Sequence, residues 1–536
     1  MKRQLPVLLV LAAASTATAA GLEGIVIDTD RSVNCTSLAS IVGDVCRDCK
    51  SDQDKAIALY NFMVRTVWMD WHSHRPLEMR PDGRVLFVND PWKYIAVYGY
   101  CGCGPQAGVF GALCEAAGLK ARLLDPGFGH VSSEIFWDGQ WHWLDVWLPA
   151  YVTDGSGRIY SYDEIMADRT RFGKAREQGR VPANFMVNYN EDLGAVMNAK
   201  NHKPSGEPYD TSSVENLCLR PGERVTWLWG NVGKWYNPSG PYEGLYLDGH
   251  FASGPATKFG NDAALKDAFP FWEPYRKTIE DGPHSSWNKT YYRYYGNAIF
   301  VHEPPLTARS MADWNAGLEK VEPLKDGGLA ANKDGGRVDV EFQLPYVIAD
   351  TQIEGLAEMD AGGLLSFSFS IDGGKTWLLG GEVTRGGAFG PIQIGKPNTV
   401  AFPGGSTTGR YGYKLRIEFW TDYQKKPTVL KSLKVTNTTM LNFYSRPWLE
   451  VGDNTVTVTV ANGEALKTAP LEVTWRWLED WTDSKSVTHK VAKSGQQQII
   501  RVGGKKRPKM ESVTIACPAS VPAAPAAGMQ TSVHAD

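Results

Sequence analysis

The chain has 536 residues, which at about 150 residues per domain excludes a single small fold and predicts about three or four domains. Hydrophobic residues at 43% and charged residues at 21% match ordinary globular composition, excluding a disordered, collagen-like or polytopic membrane chain. With 56 Lys plus Arg against 59 Asp plus Glu, the net charge of −3 is too mild for an electrostatic nucleic-acid or membrane surface.

Lys2 and Arg3 precede an apolar run over 5–14, and small residues over 15–20 set Ala17, Thr18 and Ala19 at a cleavage-like position. This order is that of a secretory signal peptide over 1–20. The apolar run is about ten residues, and a spanning helix needs about twenty. No later segment reads as a membrane span, so the expected protein is secreted, periplasmic or extracellular, with no transmembrane segment after leader removal. Export permits disulfides. Eight cysteines follow the leader: Cys35, Cys46, Cys49, Cys101, Cys103, Cys114, Cys218 and Cys517. Cys46 and Cys49 form a C-x-x-C that could be redox-active, but nothing nearby resembles the strand and helix of a thioredoxin. A bridge from Cys35 to one of them is the preferred expectation. Zinc-finger ligand spacing is absent, and no metal or cofactor is expected.

Residues 51–71 read as a helix, with Ser51 and Asp54 placed for a capping box and Ile57, Tyr60, Val64 and Val67 on one face. A second helix is predicted over 103–117, with Ala107, Phe110, Cys114 and Ala117 at helical spacing and Gly118 as its stop. From Lys120 the pattern changes to short strands. Aromatics crowd 220–300: Trp227, Trp229, Trp235, Tyr236, Trp272, Tyr275, Trp287, Tyr291, Tyr292, Tyr294 and Tyr295. They read either as the core of an irregular β region or as a sugar-stacking surface.

Strands follow over 365–371, 411–420, 454–460 and 471–478. In the third, Val456, Val458 and Val460 alternate with threonines, as one buried face requires. Ser370, Asp372, Gly374, Thr376 and Trp377 resemble the Asp-box hairpin of sialidases, here as a single turn-stabilising copy. The cluster Arg501, Lys505, Lys506, Arg507 and Lys509 reads as a solvated loop. The Ala- and Pro-rich tail over 518–536 is expected to be disordered.

The chemistry concentrates between Cys101 and Val146. Cys103 follows a glycine and opens the second helix, where backbone N–H groups and the helix dipole favour a thiolate and lower its pKa from the free value of about 8.5. Asp138-Gly139 between two strand-like runs is a strong hairpin signal. With those two residues as the loop, Trp137 pairs with Gln140, Ser132 opposes Asp145 and His130 opposes Trp147. His130, Ser132, Asp145 and Trp147 then share one face, with His130 and Asp145 as diagonal neighbours. A thiol at a helix start and an imidazole beside a carboxylate are the parts of a Cys-His-Asp triad.

Cys103, Ala107, Phe110, Leu113, Gly118 and Arg122 follow the pattern C-x(3)-A-x(2)-F-x(2)-L-x(4)-G-x(3)-R, and His130, Glu134, Gly139, Trp141 and Asp145 follow H-x(3)-E-x(4)-G-x-W-x(3)-D. Both blocks resemble the core of the transglutaminase-like superfamily of papain-like thiol enzymes, over roughly 51–150. The resemblance implies an α+β fold, with a transglutaminase-like (papain-like) N-terminal domain followed by β-rich modules, read as β-sandwiches. It also implies Cys103 as nucleophile, His130 as base and Asp145 as its orienting partner. Two departures are visible: Ser132 replaces a usual aromatic, which would widen the cleft, and Cys101 replaces a glycine, which leaves an oxidised, silenced state open. Beside the Cys103 N–H, Trp68, Trp92 and Tyr98 are candidate oxyanion donors.

The domain reading is a signal peptide over 1–20, a catalytic domain over 21–200, an aromatic-rich β region over 201–320, a β-sandwich with the Asp-box-like hairpin over 321–440, a C-terminal β domain over 441–517 and the tail. The expected function is a secreted cysteine-dependent amide hydrolase, protease or amidase, acting through a thioester on peptide, protein or glycoconjugate substrates. A protein-crosslinking acyltransferase and a non-catalytic, carbohydrate-directed surface protein are the alternatives. Polysaccharide contact through the β modules fits any of these readings, and nucleic acid fits none.

Overall fold

A computed structural model describes residues 21–69, 76–79, 85–124, 130–147, 151–171, 174, 202–203, 209–230, 232–234, 236, 296–331, 335–397, 404–422 and 426–519. The leader, all of the tail beyond 519, and Trp235, Trp272, Tyr275, Trp287, Tyr291, Tyr292, Tyr294 and Tyr295 lie outside the described residues.

Helix α1 spans Leu38–Val45 and α2 spans Asp52–Thr66. The capping box of α2 is the one read from its sequence: the Asp54 N–H donates to Ser51 Oγ (3.1 Å) and the Ser51 N–H to Asp54 Oδ2 (3.0 Å). The helix stops at Thr66, short of the predicted 71. Val67 is extended (φ −115°, ψ 118°), and Trp68–Met69 pairs in parallel with Tyr100–Cys101. The β-branched pair Thr66-Val67 weakens helix propagation there, and the strand pairing takes over. Helix α3 spans Cys103–Ala116, with Gly118 in the left-handed region (φ 84°) that ends it.

The hairpin after α3 keeps the register that its turn dictates. Trp137 pairs with Gln140, Phe136 with Trp141, Ile135 with His142, Glu134 with Trp143 and Ser133 with Leu144. Asp138 (φ 49°) and Gly139 (φ 77°) both adopt positive φ, as a type I′ turn requires. Its strands Ser132–Trp137 and Gln140–Leu144 belong to a four-stranded sheet with Lys120–Leu124 and His202–Lys203.

Beyond residue 220 the described chain is dominated by strands. Among the described residues one ten-stranded sheet runs Val321–Pro323, Leu329–Ala331, Val429–Leu441, Gly296–His302, Glu223–Leu228, Lys509–Cys517, Leu471–Glu479, Asp483–Val491; Ile348–Glu358 pairs with Val429–Leu441 and carries Gly387–Gln393 outside it. A five-stranded sheet contains Gly336–Gln343, Leu364–Ser370 and Gly412–Trp420. Burial alternates along Gly336–Gln343 (Val338, Val340, Phe342) and Gly412–Trp420 (Tyr413, Leu415, Ile417, Phe419), the period of a strand with one covered face, whereas Leu364–Ser370 between its neighbours is buried on both faces. Phe367 meets Phe389 of the larger sheet at 5.4 Å between ring centroids, so covered faces of the two sheets meet.

The expected α+β architecture, a papain-like domain followed by separate β-sandwich modules, is not what the chain adopts. Strand accounts for 43% and helix for 19%, with a curled antiparallel sheet as the main element. The helices before residue 120 do not close into a self-contained α+β unit. Val26–Thr29 pairs with Gly452–Thr459, which in turn pairs with Gln496–Val502. Asn442 Nδ2 donates to the carbonyls of Thr66 (2.8 Å) and Ile95 (2.6 Å), tying the helical region to the end of the strand Val429–Leu441. The ten-stranded sheet takes strands from 201–320, 321–440 and 441–517 alike. Ladder hydrogen bonds are indifferent to sequence separation, so composition shifts along the chain do not mark where a sheet ends.

The Asp-box-like turn acts as a hairpin clasp between Leu364–Ser370 and Leu378–Val383. Asp372 Oδ1 accepts the N–H groups of Lys375 (3.0 Å) and Thr376 (2.9 Å), and the Thr376 hydroxyl donates to Asp372 Oδ2 (2.6 Å).

Within the large sheet Glu223 is buried and takes the Arg220 Nε–H (2.9 Å) and His302 Nδ1 (2.8 Å). Burial opposes its ionisation, but the charges of Arg220 and His302 and their hydrogen bonds outweigh it and pull the carboxyl from 4.5 down to about 2. A carboxyl depressed by folding stabilises the native state above its unfolded pKa, and that contribution is lost as pH falls through the folded value. Stability measured by urea midpoint should therefore fall between about pH 4.5 and about 2, and Glu223→Gln should flatten that fall. An unchanged slope in the variant would assign the acid sensitivity elsewhere.

Candidate active site

Cys103 is the first residue of α3. Its N-cap, Gly102, makes no side-chain cap, so no side chain competes for the N–H groups at the positive end of the helix dipole. The helix is pinned on two sides. The buried Gln106 donates from Nε2 to the Val67 carbonyl (2.7 Å), holding α3 beside the Trp68–Met69 and Tyr100–Cys101 pair. Ser133 Oγ donates to the Ala107 carbonyl (3.2 Å), fixing α3 against the hairpin.

His130 and Asp145 meet across the open end of that hairpin. His130 Nε2 and Asp145 Oδ2 are 2.5 Å apart, and the second carboxylate oxygen, Oδ1, accepts the Trp147 N–H (3.0 Å). Both Asp145 oxygens are thus assigned, which fixes the carboxylate plane. The Trp147 indole lies tilted against the imidazole at 5.2 Å. The Cys103 thiol lies near enough to His130 to help raise the imidazole pKa, although Nδ1 makes no hydrogen bond among the described residues. Since Nε2 is committed to Asp145, the buried Nδ1 is the ring nitrogen left to serve the thiol. The three side chains named from sequence are therefore brought together, in the order thiol, imidazole, carboxylate.

The site is nearly closed: His130 and Cys103 are each 5% exposed and Asp145 1%. Burial by itself would lower the imidazole pKa. The Asp145 charge and hydrogen bond, followed by the nearby Cys103 thiol, overcome this and hold it above the ordinary value of 6.5. An imidazole that keeps its proton stabilises a thiolate beside it. Tyr60 of α2 lies near enough for the Asp145 charge to add to burial in raising its phenol.

The other motif residues build the frame. Arg122 donates from Nε (2.8 Å) and Nη2 (2.6 Å) to Glu134 Oε2 and lies over the Trp141 ring at 4.2 Å. Glu134 Oε1 accepts the Tyr162 N–H (2.7 Å). Ala107, Phe110 and Leu113 are buried on α3. Ser132, in place of the usual aromatic, is engaged as well, accepting the Trp143 Nε1–H at 2.9 Å.

Two of the proposed oxyanion donors are committed elsewhere. Trp92 Nε1 donates to the Cys35 carbonyl (2.9 Å). Tyr98 donates its hydroxyl to Glu78 Oε1 (3.3 Å) and accepts from the Tyr411 hydroxyl (3.1 Å). The side chain of Trp68 lies outside the described residues. The expected bridge from Cys35 to Cys46 or Cys49 is not formed. Cys35 is buried next to Arg446 and Glu215, whereas Cys46 and Cys49 neighbour each other. Gln106 and Tyr60 are contributors that sequence reasoning missed. A glutamine inside the otherwise small and apolar run of α3 was the visible signal for the first.

Among the described residues no group of three His, Cys, Asp or Glu side chains converges as metal ligands, and no helix is long and apolar enough to cross a membrane. No protein-family model matches the chain, and no curated protein matches it. Among solved structures it is similar to the full-length RrgB pilus protein from Streptococcus pneumoniae, with 11% identity and a TM-score of 0.08 over 41% of this chain and 45% of that one. The match spans less than half of that protein, and a likeness this loose carries no argument about fold or function.

Proposed function

We propose that the protein is an exported cysteine-dependent amide hydrolase, with Cys103 as nucleophile, His130 as general base and acid, and Asp145 as the group that orients and charges the imidazole. The observation that carries this reading is the placement of His130 between the Asp145 carboxylate and the Cys103 thiol at the start of α3. The two sequence blocks similar to transglutaminase-like thiol enzymes support it, apart from the fold they imply. The signal-peptide pattern over 1–20 supports export.

The Cys103 thiolate attacks an amide carbonyl, and the protonated His130 gives its proton to the departing amine. A thioester remains. His130 then removes a proton from water, which attacks the thioester and releases a carboxylic acid and the Cys103 thiolate beside the protonated imidazole. A lysine amine in place of water would make the same site a crosslinking acyltransferase. Hydrolysis is the reading we adopt, because no amine-binding group is identified at the site among the described residues. The glycan-binding alternative draws no support from Trp227, Trp229 and Tyr236, which are buried at 2%, 5% and 0% exposure and cannot stack on a sugar.

The test is turnover of a peptide-amide library under mild reductant, with and without an added amine. New carboxyl termini in both conditions are expected, and stable amine adducts without hydrolysis would favour the acyltransferase. Asp145→Asn adds a sharper reading. It keeps the shape but loses the charge that raises the His130 pKa, and should cost about 10⁴-fold in kcat while moving the alkaline limb of the pH profile to lower pH. An alkaline limb that stays in place would remove Asp145 from the mechanism.

A further inference from the structure

The C-x-x-C segment lies outside the triad, at the C-terminal end of α1. The Cys46 N–H donates to the Val42 carbonyl (3.0 Å) as the helix ends, and the Cys49 N–H donates back to the Cys46 carbonyl (3.1 Å). This bond closes residues 46–49 into a turn, which brings the end residues' Cα atoms within about 7 Å. A disulfide spans roughly 4.4–6.8 Å between Cα atoms. The Cys49 thiol lies near enough to Cys46 to act on its ionisation while Cys49 Sγ donates to the Val45 carbonyl at 3.9 Å, and both thiols are partly exposed and unbridged. The competing partner expected from sequence, Cys35, is buried elsewhere beside Arg446 and Glu215. Cys114 of α3 is fully buried with Cys46 as a neighbour, and so is shielded from solvent.

We infer that Cys46 and Cys49 form a second thiol site, a redox-active dithiol that takes disulfides as its substrate class. Cys46 is the C-cap of α1, where the negative end of the helix dipole disfavours a thiolate, and burial, followed by the charge of Cys49, pushes its thiol up to about 11. Cys46 is therefore the resolving sulfur and Cys49, beyond the helix end, the attacking one. Its thiolate attacks a small-molecule or protein disulfide, forming a mixed disulfide and expelling one thiolate. Cys46 then gives up its proton and attacks Cys49 Sγ, closing the 46–49 disulfide and expelling the second thiolate. Two electrons pass from the dithiol to the substrate disulfide, and the two released thiolates take up the two protons. The site is separate from the triad, so its success or failure leaves the amide-hydrolase reading untouched.

The test equilibrates the full chain with reduced and oxidised glutathione at a series of ratios, quenches with acid and N-ethylmaleimide, and maps the cysteines by mass spectrometry. A 46–49 disulfide whose fraction follows the ratio is expected. Cys46→Ser should accumulate a glutathione adduct at Cys49, and Cys49→Ser should carry neither adduct nor bridge. The wild-type titration decides the matter without relying on either variant. Cys46 and Cys49 both alkylated at every ratio would overturn the proposal. A bridge that never opens in excess reduced glutathione, or one that joins Cys46 to Cys114, would do so as well.

Discussion

Cys103→Ala is expected to abolish both acyl-enzyme formation and iodoacetamide labelling at α3, while leaving the urea midpoint close to wild type. The nucleophile has no substitute at its position, since Cys101 is fully buried in the strand before the helix and the thiol near enough to act on the His130 imidazole is Cys103. The loss should approach the whole catalytic enhancement, because removing one member of a triad costs nearly as much as removing all of it. Cys101→Ala should retain turnover and serves as the matched control. In wild type, labelling should begin at a pH below that of a free thiol, because the imidazole beside Cys103 keeps its proton above its ordinary pKa. Equal amide turnover by wild type and Cys103→Ala would end the thiol-enzyme reading.

Arg446→Ala should be among the most damaging single changes to the fold. The Arg446 guanidinium is 2% exposed, and its Nη1 donates to Glu215 Oε1 (2.8 Å), Glu215 Oε2 (2.9 Å) and the Tyr346 hydroxyl (2.7 Å). Nε donates to Ser445 Oγ at 3.3 Å, and the guanidinium lies 5.0 Å from the Trp227 ring centroid. Glu215 is 3% exposed, so truncating the arginine leaves a carboxylate out of water with, among the described residues, only the Tyr346 hydroxyl (2.5 Å) to meet it. Removing one partner of such a buried pair costs roughly 3–5 kcal/mol. The measurement is urea unfolding followed by tryptophan fluorescence. Pairing Arg446→Met with Glu215→Leu should recover much of the loss, because no charge is then stranded. A loss under about 1 kcal/mol in Arg446→Ala would mean that water reaches Glu215 in place of the guanidinium.

The candidate site was legible because its parts are set by short-range rules. A two-residue Asp-Gly loop fixes hairpin register through turn twist, and register fixes which residues share a face. His130 and Asp145 are fifteen positions apart along one such hairpin, so their meeting follows from local chemistry. The start of α3 is marked by the glycine before Cys103 and its end by Gly118. The frame contact between Arg122 and Glu134 lies across the neighbouring strand pair, in which the two residues are opposite each other. The oxyanion donors were not legible, because Trp92 and Tyr98 are tied by partners from distant segments, Cys35 and Tyr411.

The architecture was not legible in the same way, and the α+β expectation failed for a physical reason. Alternation in 454–460 says that Val456 and Val458 need cover, but any strand with free backbone groups and a matching apolar face can pair there. Val26–Thr29 does so from the other end of the chain. The buried Arg446–Glu215–Tyr346 cluster joins segments 100 and 231 residues apart. What the sequence determined by itself were the periods, caps and turns, each decided by backbone dihedrals and neighbours a few residues away. Tertiary structure decided which covered faces meet and which carboxylate neutralises which buried cation. Those choices depend on summed burial and on satisfying every buried polar group, and these become defined only when distant strands come together.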